Sequence, residues 1–196
     1  MKPLIHSNVT IGRNCVIEEG VEIGRTGKSK KPLKTVLGNN CHIRRGTIVY
    51  AGARIGNNFA TGHFVLVREA NVIGDNVIIG SFTELGLHNK IGANTRIHSR
   101  CFLEDVTLGG DVFVGPGVIF TNAPHPSSPA FRSCFRGATV DDGAMIGGGV
   151  TVLPWVHIGK RALVGAGSVV TKNVPPSAVV VGNPATKIKD IKDIAC

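Results

Sequence analysis

With 196 residues and a net charge of +9, the chain is long enough for one domain with a substantial core and basic enough to suit a polyanionic ligand. Its 26 glycines and 10 prolines, against 1 tyrosine and 1 tryptophan, suit tight repeated turns and not a bulky aromatic core, and the lack of a glycine triplet excludes a collagen-like fibre. The basic residues are scattered and no helical reading element appears, so nucleic acid gives way to a phosphorylated cofactor or a sugar nucleotide.

Met1 to Ser7 holds no apolar run of signal-peptide length, and no later stretch is apolar for the roughly 18 residues a membrane span needs. Neither export nor membrane insertion is expected, and the cytoplasm is the predicted location. A pattern begins at Ile11-Gly12, Ile17 and Ile23-Gly24. It becomes regular from Leu37, through Ile43, Val49, Ile55, Val67, Ile73, Ile79, Leu85, Ile91 and Ile97, to Leu103, one large residue every six, with Thr61 as a polar exception. A second, smaller set lies four positions after each of these, including Cys41, Thr47, Ala53, Val65, Val77, Thr83, Thr95 and Cys101, from which Phe59, Asn71 and Asn89 depart. A six-residue period fits neither a helix nor an alternating strand. It fits a coil of three short strands per turn, each corner pointing one large and one small side chain inward. Cys15, Cys41 and Cys101 fall on the small inward position and are expected to be buried thiols, and the five cysteines lack the pair spacing of a zinc site.

Two excursions leave the coil, at about residues 25–36 and 121–138. The first is basic, RTGKSKKPLKT, a candidate flap over an anionic site through Lys28, Lys30 and Lys31, with Arg44 and Arg45 on the early coil nearby in sequence. Thr61 breaks the rule of its position, which marks a candidate site beside the outward His63. Glu84 and His88 also face outward. After Leu103 the register slips by one residue and resumes at Leu108, Val114 and Phe120. The second excursion, TNAPHPSSPAFRSCFRG, is long for so regular a scaffold, and such loops usually carry function. The coil restarts at Val140 and the domain is expected to span 1–186. Ile188, Ile191 and Ile194, three apart, predict a short C-terminal helix over 187–196 that caps the open end.

Flat-sided rods make poor pockets, so a coil of this kind is expected to form a homotrimer with three composite grooves, each roofed by a loop. Gly148, Ala166 and their glycine neighbours leave backbone open to an amide-bearing chain, and Lys172 and Lys187 are placed to meet phosphates. His125, between two prolines in the second excursion, is the candidate general base. Asn122 is a candidate for orienting the acceptor or the base, and Glu84 for binding the acceptor or fixing a histidine tautomer.

The chain resembles the hexapeptide-repeat acyltransferases of the left-handed β-helix class over essentially its whole length, and the ending VGAGSVVTKNVPPSAVVVGNPATKI is highly characteristic of them. The resemblance implies an all-β, left-handed parallel β-helix, a homotrimer, acetyl-CoA as co-substrate in the intersubunit groove, and direct acyl transfer with no covalent enzyme intermediate. His125-Pro126 in IFTNAPHP is similar to the histidine-proline of galactoside and maltose acetyltransferases, where this histidine is the general base. RRGTIVYAGARIGNNFATGHFVLVREANVIGDNVIIG, with Phe120-Thr121-Asn122, is similar to the sugar-nucleotide amino-sugar N-acetyltransferases of surface-polysaccharide synthesis. The favoured expectation is therefore acetylation of an amino group on a nucleotide-linked sugar, with His63, Glu84 and Arg44 on the acceptor. O-acetylation of a simple sugar or other small alcohol is the alternative. A γ-type carbonic anhydrase needs two histidines separated by four residues, a spacing no pair here has, so no catalytic metal is expected. A non-catalytic trimeric scaffold stays open as a reading that binding of acetyl-CoA would exclude.

Overall fold

The computed structural model describes residues 2–27, 33–125, 127 and 134–194. The chain winds as a left-handed parallel β-helix with three faces. The first face carries strands such as Ile48–Tyr50, Leu66–Val67, Glu84–Leu85, Phe102–Leu103 and Ile119–Phe120. Arg54–Ile55, Val72–Ile73, Lys90–Ile91 and Thr107–Leu108 lie on the second, and Ala60–Thr61, Ile78–Ile79, Arg96–Ile97 and Phe113–Val114 on the third. Where no excursion intervenes, a strand residue typically pairs with the one eighteen further on, as Leu66 with Glu84 and Val72 with Lys90. That offset is three six-residue sides. The slip after Leu103 is a real shortening of one corner, so that Lys90 pairs with Thr107 and Ile91 with Leu108.

The six-residue period is a packing rule. Leu37, Ile43, Val49, Ile55, Val67, Ile73, Ile79, Leu85, Ile91, Ile97 and Leu103 are all buried in one continuous core. Full burial of such a side chain contributes about 1.5–3 kcal/mol. The glycine after many of them lets successive coils close up: a Cβ at Gly38 would come within 2.6 Å of the Gly56 carbonyl. Cys41 and Cys101 are buried as expected, and burial pushes the Cys41 thiol up to about 11, while Cys15 is only partly buried.

Polar residues inside the coil are paired. The Asn89 amide donates to Asn71 Oδ1 at 3.0 Å and to the Leu103 carbonyl at 3.1 Å, while Asn89 Oδ1 accepts from the Val106 N–H at 2.9 Å. Asn71 donates to the Gly86 carbonyl at 2.7 Å. Thr61, fully buried, accepts the Arg44 N–H at 2.9 Å through Oγ1. Its polarity therefore serves the coil's own backbone, and the expectation that it marks a binding site gives way to this bond.

At the C-terminus the expected helix is replaced by a hairpin. Ala185–Asp190 is a strand antiparallel to Ala178–Gly182, and the helical part shrinks to one 3-10 turn, Ile191–Asp193. Ala195 and Cys196 lie outside the described residues. Three isoleucines over two turns would make a marginal helix. Pairing instead satisfies the backbone of the last parallel strand and leaves Ile188 mostly exposed.

Candidate active site

Three corners separate the faces, and each stacks into an edge with its own chemistry. The lower part of the second-to-third edge is a ladder of asparagines. Asn14, Asn40, Asn58, Asn76 and Asn94 all take left-handed backbone, with φ from 55 to 61°, and each donates through its side-chain amide to the next residue up, ending on Asp111. Asparagine tolerates this conformation better than other non-glycine residues.

The third-to-first edge carries glycine or bulky residues at the equivalent position: Gly20, Gly46, Phe64, Phe82, Arg100, Gly117, Gly149 and Gly167. Arg44 and His63 sit on its lower part, Gly148 and Ala166 on its upper part. An apolar hollow of about 270 Å³ adjoins Ala166, lined by Phe113, Met145, Leu163 and Gly165. Arg44 is largely engaged by the coil, its Nη1 donating to the Thr61 carbonyl at 2.8 Å. His63 is exposed, and its N–H donates to Ser81 Oγ at 2.9 Å. Five coils separate Arg44 from Gly148, roughly 24 Å at about 4.8 Å per coil. Only an elongated ligand would touch both.

The first-to-second edge releases both excursions. The first is bounded by Glu22–Arg25 and Thr35–Leu37, a little tighter than the 25–36 read from sequence, and Lys28, Lys30 and Lys31 lie outside the described residues. The second leaves after Phe120 and returns at Thr139, with Pro126 and residues 128–133 outside the described residues. Its neck is closed by a hydrogen bond from the Arg136 N–H to the Asn122 carbonyl at 3.1 Å, and the Trp155 N–H donates to the Arg136 carbonyl at 3.3 Å. Asn122 is buried, His125 exposed. Lys172 stands exposed at the top of this edge.

Sequence reasoning missed the group beneath the loop. Asn122 Nδ2 donates to Asp105 Oδ2 at 2.9 Å, and Asp105 Oδ1 lies 3.2 Å from His88 Nδ1. The signal was the register slip, which sets Asp105 directly above the corner that holds His88, with the Asp105 N–H on the Leu87 carbonyl at 2.9 Å. Trp155, half-exposed with φ 65° one coil above the neck, was missed too.

Two other candidates stand apart. Glu84 projects from the middle of the first face, in an outward row between Leu66 and Phe102. Lys187 lies on the terminal hairpin and pairs with Asp190 at 2.7 Å, a contact that holds the Asp190 carboxyl below its ordinary value. The structure thus gathers Asn122 and His125 on one edge, and Gly148 and Ala166 on another. Within one chain the full width of the first face, roughly 15 Å at strand rise, separates them. Among the described residues no group of histidine, cysteine, aspartate and glutamate is arranged to hold a metal, and no helix is long and apolar enough to cross a membrane.

Comparison with known proteins converges on one family. The profile described as bacterial transferase hexapeptide (six repeats) matches residues 137–172, and that of the hexapeptide repeat of succinyl-transferase matches residues 5–26. The galactoside O-acetyltransferase of Lactococcus lactis is 40% identical over 95 residues, 45% of this chain and 45% of that protein. Hexapeptide-repeat profiles thus match both ends of the chain, which is similar to the hexapeptide-repeat acyltransferases. Another relative, the bifunctional protein GlmU of Heliobacterium modesticaldum, is 30% identical over 189 residues, 95% of this chain but 38% of that protein. The chain spans less than half the length of these curated relatives. A UDP-N-acetylglucosamine acyltransferase, LpxA of Bacteroides fragilis, superposes with a TM-score of 0.72 over 96% of this chain and 73% of that one, at 19% identity, a likeness of fold.

Proposed function

We propose that the protein is an acetyl-CoA-dependent acetyltransferase acting on an amino group of a nucleotide-linked sugar, in the cytoplasm. The observation that carries this reading is the partition of the first face. A loop with a fixed neck and a proline-flanked histidine stands on one edge, and a glycine-rich stretch beside an apolar hollow stands on the other. The sequence similarity to a galactoside O-acetyltransferase supports acetyl transfer. The resemblance of Arg44 to Gly80 to amino-sugar N-acetyltransferases supports the amine, and the +9 charge suits CoA and a sugar diphosphate together.

In this reading three copies associate about a threefold axis, so that the loop edge of one faces the glycine edge of the next. Gly148, Ala166 and the hollow hold the pantetheine arm, and Lys172 meets a phosphate of CoA. Arg44, His63 and Glu84 hold the acceptor, whose nucleotide length accounts for the span along the edge. His125 accepts the proton of the attacking nitrogen as the C–N bond forms, and returns it to the sulfur as the C–S bond breaks. Backbone N–H groups of the glycine edge receive the oxyanion. Asn122 orients the acceptor.

A second reading, O-acetylation of a simple sugar, is favoured by the Lactococcus relative itself. Thiol release from acetyl-CoA across nucleotide-linked amino sugars, free amino sugars and plain sugars, with mass spectrometry of the products, separates the two. Amide formation on a nucleotide-linked amino sugar is the expected result. Transfer confined to hydroxyls moves the protein to the second reading, and failure to bind acetyl-CoA removes both.

A further inference from the structure

We propose that His88, oriented by Asp105, is a second proton acceptor of the site and deprotonates the acceptor ammonium before attack. This rests on the amine reading above.

The chemistry requires two departures. An amine with a pKa of about 8 is mostly ammonium at neutral pH. R–NH3+ and acetyl-CoA give the amide, the CoA thiol and one proton. One N–H proton leaves before the nitrogen can attack, and the other leaves as the C–N bond forms and ends on sulfur. His125 accounts for the second. A hydroxyl acceptor would need only that one.

The structure provides a separate group for the first. His88 stands on the same edge as the loop, and Asp105 joins the two: one carboxylate oxygen lies 3.2 Å from His88 Nδ1, the other accepts the Asn122 amide at 2.9 Å. With its proton on Nδ1, donated to Asp105, His88 presents the Nε2 lone pair outward, the tautomer a base needs. The side chain is 63% exposed, so a captured proton can pass on to water. His125 has no such orienting carboxylate among the described residues. The remaining charged groups around His88 are few. Below it, Glu69 offers a backbone carbonyl to the His88 N–H at 3.4 Å while its carboxylate is held by Arg68 at 2.8 Å. Lys90 projects from the following strand, and Glu104 adjoins Asp105. The carboxylates of this edge favour a cationic acceptor over a neutral one.

His88 also occupies a left-handed corner, φ 59°, where the neighbouring edge uses asparagine. A histidine there is an unforced choice for the fold, and His88→Asn is therefore a variant expected to fold normally. The test is the pH dependence of kcat/KM for an amine acceptor in the wild type, His88→Asn and Asp105→Asn. With His88 in place the ammonium form is a usable substrate and activity persists below the amine pKa; without it, the neutral amine must bind from solution and the limb moves up to the amine's own value of about 8. His88→Asn should lose about 10–100-fold near pH 6.5, with the deficit shrinking to about threefold at pH 9. Asp105→Asn should shift the limb the same way by less. A uniform loss at every pH, or none, overturns the inference while leaving the proposed function standing. A wild type that acetylates only hydroxyls overturns both.

Discussion

Two edges of one coil solve the same backbone problem differently. Both need a residue at positive φ in each corner. On the second-to-third edge the answer over the first five coils is asparagine, each bonded to the next, with Asp111, Gly143 and Arg161 in the corners above. On the first-to-second edge the corresponding residues are Gly52, Ala70, His88, Asp105 and Trp155. No periodic pairing links them, and the bulky ones accept a cost of roughly 1–2 kcal/mol each for left-handed backbone. On the asparagine stretch one residue recurs and bonds to itself; on the loop edge each corner differs. On this edge His88 and Asp105 lie beneath the loop that carries His125, and Trp155 lies above it.

That contrast can be broken most forcefully at the loop. His125→Ala should lower kcat by about 10²–10⁴-fold while acetyl-CoA binding, followed by calorimetry, is retained. A variant with near-normal turnover removes His125 as the base. The next largest effect is on stability. Asn89→Leu leaves the Val106 N–H and Asn71 Oδ1 without their partner, and should cost about 3 kcal/mol in denaturant unfolding. On the asparagine edge, Asn58→Ala should cost about 1–2 kcal/mol with activity untouched, and Asn58→Gly clearly less, since glycine accepts positive φ. If Asn58→Ala impaired turnover, the division between a structural and a functional edge would fail.

The smallest effect concerns Glu18, at the foot of the glycine edge. The Arg45 N–H first, then His42, hold its carboxyl below the ordinary 4.5. A lowered folded-state value stabilises the protein above the unfolded pKa, and that contribution disappears as pH falls through the folded one. Glu18→Gln should therefore lower Tm slightly at pH 7, and the deficit should shrink as the pH is lowered into the acid range.

Most of the fold was legible because each inward position reports directly in the six-residue period, even to the slip after Leu103. The C-terminal hairpin was not, because isoleucines three apart carry no information about an unpaired strand edge waiting above them. Thr61 and Asn89 showed as exceptions, yet their meaning lay in bonds to residues about one coil away. The same holds for the site. His125 announced itself through its prolines, a local signal. The His88–Asp105 pair joins residues 17 apart in sequence that stack only once the short corner is formed. Lys187 read as a free cation, and its pairing with Asp190 became visible only with the hairpin.

The central claim is that neither edge suffices alone and that the site is shared between copies. Two inactive variants test it directly: His125→Ala, which spoils the loop edge, and Ala166→Trp, which blocks the glycine edge. Unfolded together and refolded as mixed trimers at equal amounts, they should regain about a quarter of wild-type activity, because about one interface in four pairs an intact loop with an intact glycine edge. No recovery in verified mixed trimers would show that each site is built within a single chain, and would contradict the account.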